Sequence, residues 1–166
     1  MGERIAVCPG SFDPITKGHL DIIKRASKMF DKVIVVTMIN ADKKPCFNEE
    51  ERVDLMKRSI AQLNLENVEV DSYSGLLADY TKKHNAVAIV KGLRAVSDFE
   101  YEFQMALLNK KLNPNAETVF FTTSSENLYL SSSMVKSIAS LNGDISEFVP
   151  TCIHNDIKKR LQKKGV

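Results

Sequence analysis

Cys8-Pro9-Gly10-Ser11-Phe12-Asp13-Pro14-Ile15-Thr16-Lys17-Gly18-His19 is the stretch whose reading decides the fold. A run of strand formers, Arg4-Ile5-Ala6-Val7-Cys8, stops at Pro9-Gly10, and an amphipathic pattern starts after Gly18. The segment therefore joins a first strand to a first helix. Such junctions are where open parallel sheets bind ligands. Gly10 lets the backbone approach a ligand without a Cβ in the way, Ser11 offers a hydroxyl, and Pro14 stiffens the loop. Thr16 is the predicted cap of the helix, with His19 in its first turn, where unpaired amides and the dipole favour a phosphate. An imidazole there adds a hydrogen bond and, if protonated, a charge. The segment has neither the Lys-Ser/Thr ending of a P-loop nor the glycine spacing of a dinucleotide site. By themselves these residues say phosphate site on a strand-to-helix turn, with a tight turn and a capped helix as the plainer alternative.

Outward from this turn, Leu20, Ile23, Ala26 and Phe30 recur at helical spacing, predicting a helix over 18–30. Val33-Ile34-Val35-Val36-Thr37-Met38 reads as a strand buried on both faces. A polar loop with Lys43-Lys44-Pro45 follows at its carboxyl end, on the side of the first turn. Asn48 caps a helix predicted over 48–63, whose Glu49-Glu50-Glu51 start suits the dipole and whose apolar face is Val53, Met56, Ile60 and Leu63. Val68, Val70 and Tyr73 alternate as a third strand, and 76–84 reads as a short helix with His84 as a surface cation in its last turn. A fourth strand over 86–90 leads into Lys91-Gly92-Leu93-Arg94, two cations around a glycine at a strand end. Ser97 and Glu100 have capping-box spacing at the start of a helix running to about 113. Its Phe99, Tyr101 and Phe103 are more aromatic surface than one buried face needs, which hints at subunit contact. After a fifth strand over 117–121, Ser131-Ser132-Ser133 opens another helix and brings hydroxyls and free amides together. Asn142-Gly143 ends that helix. Residues 144–166 are predicted to be a C-terminal helical segment, a short turn over 144–149 and an amphipathic helix from Pro150.

Strands alternating with helices specify an α/β domain with a five-stranded parallel sheet. Its phosphate-suited turns follow strands one, two, four and five, all at one edge. With 166 residues the chain fits a single domain, 1–166, with that C-terminal segment as its appendage. A formal charge of +2 is too small to imply nucleic acid, so anion binding must come from local clusters. No apolar run approaches a membrane span and no signal-peptide core opens the chain, so no membrane is expected and a cytoplasmic location is. Cys8, Cys46 and Cys152 are too few and too irregularly spaced for a disulfide framework or a zinc site, and Cys8 reads as a buried small hydrophobe.

Four separated motifs carry a resemblance that the bare chemistry does not. Pro-Gly-Ser-Phe-Asp-Pro with Thr-x-Gly-His, the Lys-Lys-Pro run with Lys-Gly-Leu-Arg, Asp-Phe-Glu-Tyr-Glu-x-Gln, and Ser-Ser-Ser-x-Val-Lys closely resemble the signatures of the nucleotidyltransferase superfamily. Within it the likeness is closest to the bacterial phosphopantetheine adenylyltransferases of coenzyme A synthesis, and it spans about residues 5–150. The resemblance implies a Rossmann-like nucleotidyltransferase fold and reversible transfer of AMP from ATP to 4′-phosphopantetheine, giving dephospho-coenzyme A and pyrophosphate. It implies direct in-line displacement with Mg²⁺ as cofactor, and a homohexamer. By motif position, His19 is the implied catalytic residue, with Ser11, Lys43, Leu77 and Lys91 toward the acceptor. Ser11, Phe12, His19, Gly92, Leu93, Arg94, Glu102, Asn127, Leu128, Tyr129, Leu130, Ser131, Ser132 and Ser133 are the implied ATP contacts, with no protein metal ligand.

Two departures stand out. Lys91 replaces the arginine usual at the acceptor position, keeping charge but losing the planar two-pronged donor. Glu126-Asn127-Leu128-Tyr129-Leu130 departs from the usual aromatic-Ser-aromatic run and keeps one ring. Rival readings are a sister enzyme acting on nicotinamide mononucleotide or an alcohol phosphate, and a nucleotide-binding regulatory module without catalysis. Cytidylyl enzymes carry an Arg-Thr-x-Gly-Ile-Ser-Thr string where this chain has Ser-Ser-Ser-Met-Val-Lys.

Overall fold

The computed structural model describes residues 2–39, 44–94 and 96–162. Five parallel strands, β1 (Ile5–Gly10), β2 (Lys32–Ile39), β3 (Val68–Ser74), β4 (Ala88–Leu93) and β5 (Glu117–Thr122), form one sheet in the order β3-β2-β1-β4-β5. Between and after them run α1 (Lys17–Ser27), α2 (Glu49–Ala61), α3 (Leu77–Lys83), α4 (Val96–Leu112), α5 (Ser132–Ser140) and α6 (Thr151–Leu161). The chain steps outward from β1 to β3, then returns to pair β4 with β1. That reversal opens a crevice beyond the carboxyl ends of β1 and β4.

The central strands are buried on both faces, as their unbroken apolar runs require. Ala6, Cys8, Val33 and Val35 point into the larger core, where α1, α2, α5 and α6 supply Ile23, Met56, Val135 and Ile153. Val7, Ile34 and Val36 point the other way, against Tyr80 and Ala86. The caps follow from sequence. Thr16 caps α1 and Asn48 caps α2 in capping boxes closed by His19 and Glu51, and the Ser131 side chain caps α5.

The differences from expectation are local. The first helix stops at Ser27, three residues early. The fourth strand starts at Ala88 and absorbs Lys91-Gly92-Leu93, because these pair with Phe120, Phe121 and Thr122, and sheet pairing overrides a glycine's weak strand preference. The helix expected from Ser97 begins at Val96. His84 does not project as a surface cation but packs its half-buried ring 4.3 Å from that of Tyr80. Residues 144–149 make a single turn and no longer helix: the Phe148 and Val149 amides donate to the Ile145 carbonyl at 3.0 and 3.3 Å, and Asp144 accepts from the Ser146 amide and hydroxyl at its start. At the end of α5 it is Asn142, with φ of 61°, that takes the left-handed position, while the Gly143 amide reaches back 2.9 Å to the Ile138 carbonyl.

Candidate active site

A cleft of about 1260 Å³ opens at the carboxyl ends of the central strands. Most of the residues singled out by sequence line it: Ser11, Phe12, His19, Leu77, Lys91, Gly92, Arg94, Glu102, Asn127, Leu130, Ser131, Ser132 and Ser133. Leu93, Leu128 and Tyr129 do not; Leu128 and Tyr129 are largely exposed, and the Tyr129 ring meets Phe148 edge-on. Lys43 lies outside the described residues, and its neighbours Lys44 and Pro45 line the cleft. A smaller hollow of about 500 Å³ between α2 and β3 shares none of these residues.

His19 is set by the helix start that carries it. The Thr16 amide donates to His19 Nδ1 at 3.0 Å, leaving the neutral ring's proton on Nε2 as a donor to whatever enters. Burial, with the Arg94 charge adding to it, pushes the imidazole down from 6.5 to about 4. At neutral pH, then, His19 offers a directed hydrogen bond and no charge.

The turn beneath it is held from behind. Phe12 has φ of 46°, and its ring packs where a Gly10 Cβ would lie, 2.9 Å from Phe12 Cζ. The glycine's missing Cβ thus makes room for Phe12 rather than for a ligand. The Ser11 carbonyl accepts from Thr37 Oγ1 at 3.1 Å and from Arg52 Nη1 at 2.9 Å. Asp13, 5% exposed, accepts the amides of Cys46 at 3.0 Å and Phe47 at 2.9 Å and pairs with Lys136 at 2.9 Å. Burial works to raise its pKa, but these amides and Lys136 outweigh it and hold the carboxylate below its usual range.

On the opposite wall Lys91 Nζ lies 3.1 Å from Glu102, and Arg94 pairs with Asp98 at 3.1 Å while donating to the Leu130 carbonyl at 3.1 Å. The three serines differ in what they can give. Ser131 Oγ accepts the Met134 amide, Ser132 Oγ donates to the Pro14 carbonyl at 2.7 Å, and Ser133 is exposed. The cradle there is chiefly the free amides of the first turn of α5.

Arg52 is the residue that sequence reasoning missed. It follows the acidic start of α2, yet it is 4% exposed, lines the cleft, and bonds Ser11, Thr37 and the Asn48 carbonyl. The signal was its spacing from Met56 and Ile60, which puts an arginine in the apolar stripe.

Among the described residues no group of three or more His, Cys, Asp or Glu gathers to hold a metal ion. Asp13, Asp98 and Glu102 are each committed to a cation.

A parallel sheet of this order, with a Gly-His helix start and a second anion-suited helix start facing one crevice, defines a Rossmann-like nucleotidyltransferase. Comparisons agree: residues 7–138 match the cytidylyltransferase-like family. The chain is 54% identical to the phosphopantetheine adenylyltransferase of Caldanaerobacter subterraneus subsp. tengcongensis over 96% of its own length and 99% of the relative's. It is 57% identical to the enzyme of that name from Clostridium tetani, over 97% and 99%. The Plasmodium falciparum nicotinic acid mononucleotide adenylyltransferase complexed with NaAD superposes with a TM-score of 0.71, covering 95% of this chain and 96% of that one. Its 16% identity speaks for the fold alone. The chain belongs to the phosphopantetheine adenylyltransferase family.

Proposed function

We propose that this chain transfers AMP from ATP to 4′-phosphopantetheine, reversibly, giving dephospho-coenzyme A and pyrophosphate by in-line displacement with no covalent enzyme intermediate. The observation that carries the reading is the single cleft lined by His19, Lys91, Arg94 and the 131–133 serines, in a chain more than half identical to relatives of that name.

The chemistry asks little of acids or bases. A phosphate monoester, whose second pKa is near ~6, is already a nucleophile at neutral pH. The barrier is repulsion between two polyanions and the charge that grows on the α-phosphate and pyrophosphate. His19 Nε2–H donates to the α-phosphate as that charge develops. Lys91, with Lys43, holds the acceptor phosphate, and Ser11 bonds near the reacting oxygens. Arg94 and the amides that open α5 hold the triphosphate. Leu77 lies where the family holds the pantetheine arm. If bound, magnesium would supply one thing these residues supply only in part, neutralisation of the triphosphate's charge.

The family's hexamer fits the surface of α4. Phe99, Tyr101, Phe103, Leu107, Leu108 and Leu112 are each 42–64% exposed, too much apolar surface for a helix facing water. Among the described residues no helix is long and apolar enough to cross a membrane.

The test is pyrophosphate release from ATP and Mg²⁺ with 4′-phosphopantetheine, nicotinamide mononucleotide or glycerol 3-phosphate offered separately. Release with 4′-phosphopantetheine alone is expected. Release with another acceptor, or with none, overturns the assignment.

A further inference from the structure

The C-terminal helix α6 lies beyond the 7–138 span that matches the broader cytidylyltransferase-like family, yet it reaches the residues that lead into the cleft. Arg160 Nη1 donates to the Cys46 carbonyl at 2.8 Å. Its Nη2 pairs with Glu51, the residue that closes the capping box of α2. Its guanidinium lies 5.2 Å from the centre of the Phe47 ring, which is 3% exposed.

The Cys46 carbonyl and the Phe47 amide belong to one planar peptide unit. Arg160 holds the carbonyl end of that unit and Asp13 the amide end, at 2.9 Å. Asp13 belongs to the turn that carries Ser11 and Phe12, and it also accepts the Cys46 amide. Lys44 and Pro45, the residues just before, line the cleft. A peptide plane gripped at both ends fixes the direction in which the chain leaves toward those residues.

We infer that Arg160 is a positioning residue for the acceptor subsite: from outside the cleft it sets the orientation of the 44–47 segment, and through it Lys44, which lines the cleft. It touches neither substrate. The inference rests on the proposed reaction for what the segment meets, while the positioning itself is a statement about one peptide plane. Arg160 is half-exposed, so it can be changed without opening the core.

The experiment compares wild type with Arg160→Met, which keeps the aliphatic bulk over Phe47, and Arg160→Lys, which keeps the charge. Loss of the bond to the Cys46 carbonyl, with the more exposed pair to Glu51, predicts that Arg160→Met raises the KM for 4′-phosphopantetheine about three- to tenfold, with kcat and the KM for ATP changed less than about twofold. Arg160→Lys recovers part of that loss. Hydrogen exchange at the Phe47 amide is measured on the same proteins without substrate, and it speeds up in Arg160→Met. Inactive wild type would sink the proposed reaction and leave the exchange result to judge the positioning. Unchanged exchange, or equal losses toward ATP and acceptor, overturns the inference.

Discussion

Two walls flank the crevice, one at the turn after β1 and one at the carboxyl end of β4, and they are built differently. In the first, the groups that shape the turn are Asp13, Thr16, Thr37 and Arg52, none more than 5% exposed, and each is bonded to backbone or to another of the set. In the second, Lys91 and Arg94 sit in ion pairs whose members are 22% to 38% exposed. A buried, bonded network is costly to break, whereas an exposed pair is worth roughly 1 kcal/mol or less. The first wall is thus set before substrate arrives. The second holds its cations on carboxylates that a phosphate can replace.

The largest test of that contrast is His19→Ala. Removing a donor aimed at developing charge is expected to lower kcat about 10²- to 10³-fold in the pyrophosphate assay. The Thr16 amide loses its acceptor as well, which costs about 1 kcal/mol in urea unfolding. Near-normal turnover would show that the rigid wall does not carry the chemistry. Next comes a matched pair. Arg52→Met removes one of the two donors on the Ser11 carbonyl and the donor on the Thr37 hydroxyl, a loss of about 1–3 kcal/mol in stability, and kcat/KM falls tenfold or more. Arg94→Met changes stability within roughly 0.5 kcal/mol and raises the KM for ATP. Equal stability losses in the two variants would erase the distinction between the walls.

A smaller effect separates the walls by pH. The His19 imidazole has its pKa lowered in the fold to about 4, so between the ordinary 6.5 and that value the unfolded chain takes a proton that the folded chain refuses. Stability present above 6.5 is lost as pH falls toward 4. Urea unfolding at pH 7 and pH 5 should show that loss, and His19→Gln should shrink it. Ring NMR should find Nε2 protonated and Nδ1 bare across this range.

The part of the first wall that is local was legible in the sequence. Pro9-Gly10, Thr16 and His19 act within a few residues of each other, so turn, cap and first-turn imidazole follow from spacing. What could not be read is long-range: Arg52 answers to Ser11 from 41 residues away, Lys136 to Asp13 from 123, and Arg160 to Cys46 from 114. An arginine on a charged helix start looks solvated until the fold turns it inward. The same limit explains β4, whose Lys91-Gly92-Leu93 reads as a turn until β5 arrives to pair with it. Ser132 is a further instance, a hydroxyl that seemed free and is spent on the Pro14 carbonyl.

The finest test falls on the exchangeable wall. Lys91 reaches Glu102 as a point charge, and the two side chains are 24% and 22% exposed. Lys91→Arg restores a planar fork that can hold Glu102 with one edge and a phosphate with the other. The expected gain is a KM for 4′-phosphopantetheine lower by about two- to fivefold, with kcat nearly unchanged, since the contact is made equally to ground and transition states. Glu102→Gln in the Lys91→Arg background separates charge from geometry: if releasing the cation from its carboxylate tightens the acceptor further, the pair competes with phosphate. A loosened acceptor would mean instead that Glu102 aims the cation, and the second wall would then be as preset as the first.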